Sequence, residues 1–171
     1  MAMEREILKR TAERIDHLIT SDLPDKRRVP LLYRAAHELY GGSPTLLAAE
    51  KLAHAFSEPG RAAMVCSGWP NRPMVDPSIA ETDGPPGASV IARVLHQGFR
   101  AVPLLFFEEP LLPAMSAVVE AAGLRALGGA AALRGIQSLG SVHVAGVLGF
   151  PSAIEAAKVR AAELLDEYRP A

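Results

Sequence analysis

The sequence predicts an α/β fold: a mostly parallel open sheet, Rossmann-like and three-layered, preceded by an N-terminal helical segment. Three observations carry this reading. Short apolar runs at 61–66, 101–107 and 141–145 alternate with stretches whose apolar residues recur at helical spacing, the pattern of strands joined by crossover helices. A long polar loop follows the first of those runs, as expected where a strand of an open parallel sheet delivers the chain to a ligand site. The first 56 residues hold three helical patterns and no strand-like run.

Taken in order, Ile7, Leu8, Ala12, Ile15, Leu18 and Ile19 share one face of a helix over 3–20, with Glu, Arg and Lys opposite. Residues 22–28 form a polar link whose basic triplet reads as solvated rather than as a phosphate site. Pro30 suits the first position of a second helix carrying Leu31, Leu32, Ala35, Ala36, Leu39 and Tyr40, and Gly41-Gly42 stops it. Ser43 caps, and Pro44 opens, a third helix reaching about Phe56. The 61–66 run is the first strand. Beyond its loop, Val90, Ile91, Val94 and Leu95 mark a helix from about Pro86 to Gly98. Pro103 sets the 101–107 run at a sheet edge or at a strand's start. A helix over 110–122 closes on Gly123. A short strand at 124–127 and a turn into a brief helix at 128–133 come next, then the 141–145 strand and a turn at 146–150. The last helix runs from Pro151-Ser152 to about Tyr168. These elements are expected to make one domain over 1–171, with helices at 3–56 and the α/β part at 61–168.

Composition excludes several classes of function. The chain is 49% hydrophobic and 22% charged, a globular balance, and its net charge of −1 comes without the basic stripe of a nucleic-acid binder. One cysteine rules out an internal disulfide, and no Cys/His zinc spacing is present. No apolar run reaches the roughly 20 residues of a membrane helix, and the charged Met-Ala-Met-Glu-Arg-Glu start lacks a signal-peptide core. A cytoplasmic protein with no membrane or nucleic-acid partner is the expectation.

The chemistry gathers in 66–87. This loop holds Asp76, Glu81 and Asp83, one cation in Arg72, and a Gly84-Pro85-Pro86-Gly87 corner where the next helix begins. Free N–H groups of Gly84, Gly87 and Ala88, with the positive end of the helix dipole, favour an anion there, while Asp83 also suits the N-cap. The three carboxylates offer oxygen ligands for a hard divalent cation, or an acid and a base. Glu108 and Glu109 are expected on the same sheet edge. Arg72 reads as a partner for a substrate carboxylate or as a surface cation. His143 reads as a core histidine, His96 as a helix C-terminal one, and Cys66 as a buried, inert thiol; Trp69 walls a pocket or packs in the core. Gly146-Val147-Leu148-Gly149 is a weak phosphate-approach motif without the dinucleotide fingerprint, and no P-loop lysine is present, so no nucleotide cofactor is expected.

The Glu81-Thr82-Asp83-Gly84-Pro85-Pro86-Gly87 run, behind an apolar strand that ends in a small-residue turn, resembles the D-glutamate cyclase-like C-terminal domain family over roughly 29–122. This chain has Ser67-Gly68-Trp69 where that family usually shows Thr-Gly-Phe, and it looks like a shortened member. The resemblance implies a lyase that converts D-glutamate to 5-oxo-D-proline and water. It implies Glu81 and Asp83 as base and as acid or metal ligand, and Ser67, Gly68, Arg72, Thr82, Gly84, Gly87 and Glu108 around a small carboxylate or amino-acid substrate. A manganese or magnesium ion on Asp76, Glu81 and Asp83, and a second copy or a partner chain completing the shortened domain, belong to the same expectation. Its rivals are a non-catalytic ligand-binding or regulatory subunit that keeps the acidic loop, and a nucleotide-binding enzyme suggested by topology alone.

Overall fold

In a computed structural model, which describes residues 2–21, 28–68, 70–138 and 143–171, the chain divides into two compact units, Met1–Ala55 and Phe56–Ala171. The basic triplet's Lys26 and Arg27, Trp69, and residues 141–142 of the third expected strand lie outside the described residues.

The first unit holds helices α1 (Ala2–Ile19), α2 (Arg28–Tyr40) and α3 (Pro44–Ala55). Ser43 caps α3 as expected, accepting from the Leu46 N–H at 3.2 Å. The inward face of α1 differs from the one its apolar spacing predicts. Ile7, Leu8, Leu18 and Ile19 are more than half exposed, while Ala12 and Asp16 are buried. The cause is polar. Asp16 accepts from the Ser43 hydroxyl (2.5 Å) and from the Thr45 hydroxyl (2.5 Å) and N–H (3.3 Å), which turns that side of α1 towards the start of α3. Burial alone would raise its pKa, but these bonds, with the charge of His37, hold the carboxyl below its ordinary value.

The second unit is a three-layer α/β structure. Its sheet is wholly parallel in the order β1-β2-β4-β3, with β1 at Ala62–Cys66, β2 at Val102–Glu108, β3 at Arg125–Leu127 and β4 at Val144–Phe150. Leu105 and Phe107 of β2 point to one face, packing with Ala88 and Ala92 of α4 (Gly84–Phe99) and Met115 and Val119 of α5 (Leu112–Ala121). Val102, Leu104 and Phe106 point to the other, against Ala132 of α6 (Gly129–Ser138) and Leu164 and Tyr168 of α7 (Ile154–Tyr168). Burial on both faces explains why β2 reads as an unbroken apolar run. At the outer edge of β1, the Ala171 N–H reaches the Ala62 carbonyl at 3.0 Å.

Pro103 lies near the start of β2, one of its two expected places, and β2 is central, between β1 and β4. Two sequence expectations are corrected here. The expected turn at 146–150 is part of β4, and its glycines serve packing: a Cβ on Gly146 would stand 2.6 Å from Leu104 Cδ2. The face of α4 turned to the sheet is the small-residue one, Ala88, Ser89 and Ala92, with Leu95, which lets the helix lie close; Val90, Ile91 and Val94 are over half exposed. No helix among the described residues is long and apolar enough to cross a membrane.

Candidate functional site

Strand direction places the ends of β1, β2 and β4 along one rim, in register as Cys66 beside Phe106 and Glu108 beside Phe150. A cavity of about 290 Å³ opens there, lined by Cys66, Ser67, Gly68, Phe106, Phe107, Glu108 and Phe150. Its size is near the lower end of ligand pockets, roughly 300 Å³, and its place is the carboxyl edge where open parallel sheets bind ligands.

Its rim is held by local chemistry. Ser67 continues the sheet pairing by donating its N–H to the Phe106 carbonyl at 3.1 Å. Gly68 takes a positive φ of 85°, and a Cβ there would press on Phe107 and Leu111 at 3.1 and 3.2 Å, so only glycine turns the chain this tightly over the core. Gly84 abuts the same turn: a Cβ on it would lie 2.8 Å from Ser67 Oγ. On the far side, the Ser152 hydroxyl donates to Glu108 Oε2 at 2.9 Å, tying the segment after β4 to the end of β2. Phe106 and Phe150 meet nearly at right angles with centroids 6.4 Å apart.

Of the residues picked out from sequence, Ser67, Gly68 and Glu108 line this cavity and Gly84 backs it. The acidic loop is placed otherwise. A bridge between Pro70 and Ala80 pins its two arms, and the Asn71 N–H donates to the Ile79 carbonyl at 2.7 Å. Arg72, Asp76, Glu81, Thr82, Asp83 and Gly87 are exposed and do not line the cavity. Arg72 adopts a left-handed backbone, φ 58°, at the start of a turn in which its carbonyl accepts from Val75. Asp76 accepts from the Ser78 hydroxyl (2.7 Å) and N–H (2.8 Å), and both bonds hold its carboxyl below the ordinary value. Asp83 caps α4, accepting from Gly84 N at 2.9 Å through its side chain and from Gly87 N at 3.2 Å through its carbonyl. Two of the amides foreseen for an anion, those of Gly84 and Gly87, thus already have acceptors. Among the described residues no group of three or more His, Cys, Asp or Glu is gathered, so Asp76, Glu81 and Asp83 do not come together as a three-carboxylate site.

Two further readings change. Cys66 is exposed rather than buried, though partial enclosure still pushes its thiol up. His143 is exposed rather than in the core, and its ring meets that of His96 at 5.3 Å, at the amino end of the strands, opposite the cavity. His96 Nδ1 lies 3.1 Å from the Ala101 carbonyl at the end of α4, as its position in the sequence leads one to expect. Glu109 is exposed and packs against Gly149, where a Cβ would meet its Cγ at 3.0 Å. Sequence reasoning missed Phe106, Phe107, Phe150 and Ser152. The available signal was positional: Phe106, Phe107 and Phe150 close apolar runs that end at one sheet edge.

A family model described as D-glutamate cyclase-like, C-terminal, matches residues 15–142, well over half of the chain and beyond the 29–122 carried by the motif. Neither a curated protein nor a solved structure matches it.

Proposed function

The chain belongs to the D-glutamate cyclase-like C-terminal family, and from that premise we propose that the rim cavity is the site of a lyase closing a small amino dicarboxylic acid into a lactam. D-glutamate is the first substrate to test, with 5-oxo-D-proline and water as products. The observation that carries the reading is the cavity at the carboxyl edge of the sheet, lined by Ser67, Gly68 and Glu108 within the family-matched segment.

In the reaction the amine nitrogen attacks the distal carboxyl carbon. One C–N bond forms and one C–O bond breaks. The two protons shed by the ammonium leave with the departing oxygen as water, so charge and atoms balance. The attack needs the amine stripped of a proton, an oxygen-directed donor, and a chain folded back on itself in a space that excludes water. Ser67, which carries a hydroxyl donor, lines the cavity, and Phe106, Phe107 and Phe150 supply apolar surface. A free amino acid as substrate accords with a cytoplasmic protein.

The test is direct: purified protein is incubated with D-glutamate, with and without manganese or magnesium, and 5-oxoproline is followed by mass spectrometry. Product is expected. None under any of these conditions overturns the reading.

A further inference from the structure

The reaction requires something to receive the substrate's ammonium, and the loop carboxylates picked out from sequence lie outside the cavity. We infer that Glu108 is the ammonium-binding group of the rim cavity, oriented by Ser152, so that the site selects ligands by their positive charge. This deepens the cyclase reading and rests on it for the choice of probe.

Three observations support the assignment. Among the described residues that line the cavity, Glu108 is the one carboxylate and none carries a positive charge; the thiol of Cys66 is pushed towards its neutral form by partial burial. Three of the six other lining residues are phenylalanines, and a charge beside apolar walls attracts an opposite charge more strongly than it does in open water. One carboxylate oxygen is already engaged: Ser152 Oγ donates to Oε2 at 2.9 Å, with no other side-chain partner for Glu108 among the described residues. A carboxylate has about four lone-pair sites, so the group is fixed in orientation while retaining acceptors for a ligand's N–H bonds. Glu108 also ends the central strand, between the neighbours β1 and β4, which gives it a firm base. Ser152 is a positioning residue, acting through Glu108.

Calorimetric titration of the whole chain tests this with three probes of similar length: D-glutamate, glutarate, which lacks the nitrogen, and N-acetyl-D-glutamate, whose nitrogen is uncharged. D-glutamate is expected to bind at least tenfold tighter than either. Glu108→Gln is expected to abolish that preference, Ser152→Ala to weaken D-glutamate several-fold, and Ser152→Thr, which keeps the hydroxyl, to restore it. Glu81→Gln is expected to bind as wild type does. The comparison among probes uses the unaltered protein, so a variant that folds poorly does not blunt it. Equal binding of the three probes, no binding of D-glutamate, or loss of the preference in Glu81→Gln with Glu108→Gln unaffected overturns the assignment. The two ideas fail separately. Glu108-dependent binding without 5-oxoproline sinks the cyclase reading and leaves the ammonium site; product formation with an unimpaired Glu108→Gln does the reverse.

Discussion

The hydroxyl of Ser67 fills the space that a side chain on Gly84 would need, 2.8 Å from where its Cβ would stand. The turn after β1 and the first residue of α4 therefore fix each other. Gly84→Ala is expected to push Ser67 off the cavity wall, lowering both stability and ligand binding. Ser67→Gly removes the obstruction, so the double variant should be less impaired than the sum of the singles. A coupling on the order of 0.5–3 kcal/mol is expected from urea denaturation; strict additivity would show that the two residues do not press on one another.

Asp83 is the cap of α4, and its removal is a stability change before it is anything else. Asp83→Ala should cost about 0.5–2 kcal/mol in denaturant unfolding, and Asp83→Asn less, since asparagine also caps well. Equal stability of Asp83→Ala and wild type would contradict the capping role.

Asp16 gives the helical unit a pH dependence with a defined sign. Its folded pKa lies below the ordinary value, so the unfolded chain takes up its proton first on acidification. The stabilisation is present above the unfolded value, about 3.9, and is lost as pH falls through the lower folded value. Asp16→Asn should destabilise by roughly 1.5–3 kcal/mol near neutrality, the worth of hydrogen bonds to a charged group. Its deficit relative to wild type should shrink towards the acid end of that window. A deficit constant with pH would assign the effect to shape rather than charge.

Gly146 sits in β4 with Leu104 where its side chain would be, 2.6 Å from an added Cβ. Both residues belong to the buried middle of the sheet. Gly146→Ala should overpack it and cost about 1–3 kcal/mol, read as a lowered thermal midpoint with secondary structure intact. A tolerated alanine would mean that Leu104 has room to turn aside.

Cys66 is accessible in the folded protein and is the single cysteine of the chain. The thiolate is the form that reacts, and partial burial raises the pKa of this thiol. Iodoacetamide should therefore label it more slowly at pH 8 than it labels a short cysteine peptide, with the rate still climbing at higher pH. Labelling as fast as the peptide's would show that the side chain is fully hydrated.

Much of the α/β unit was legible because its signals are local. The apolar runs of β1 and β2, the Asp83 cap and the Pro110 and Gly123 boundaries of the next helix depend on neighbours in sequence. The errors came where a distant contact decides. Gly146 and Gly149 look like a turn until Leu104 and Glu109 are seen to lie against them. Ile7 and Leu18 look like the buried face of α1 until Asp16 is seen to bond across to Ser43 and Thr45. The site was half legible. Ser67, Gly68 and Glu108 sit where strand ends must bring them. The aromatic walls were hidden because a phenylalanine in a core strand and one facing a cavity have the same sequence pattern, and the acids of the 76–83 stretch drew attention by their number.

The two phenylalanines of β2 each serve two structures. Phe106 closes the cavity while anchoring one layer, and Phe107 does the same for the other. Replacing either to reshape the ligand space disturbs the scaffold itself. Ser152, beyond the tip of β4, carries no such double duty. Divergence of substrate preference within this architecture has an inexpensive route there and an obstructed one through the floor, and a directed-evolution library gains most of its folded variants by leaving 106 and 107 alone.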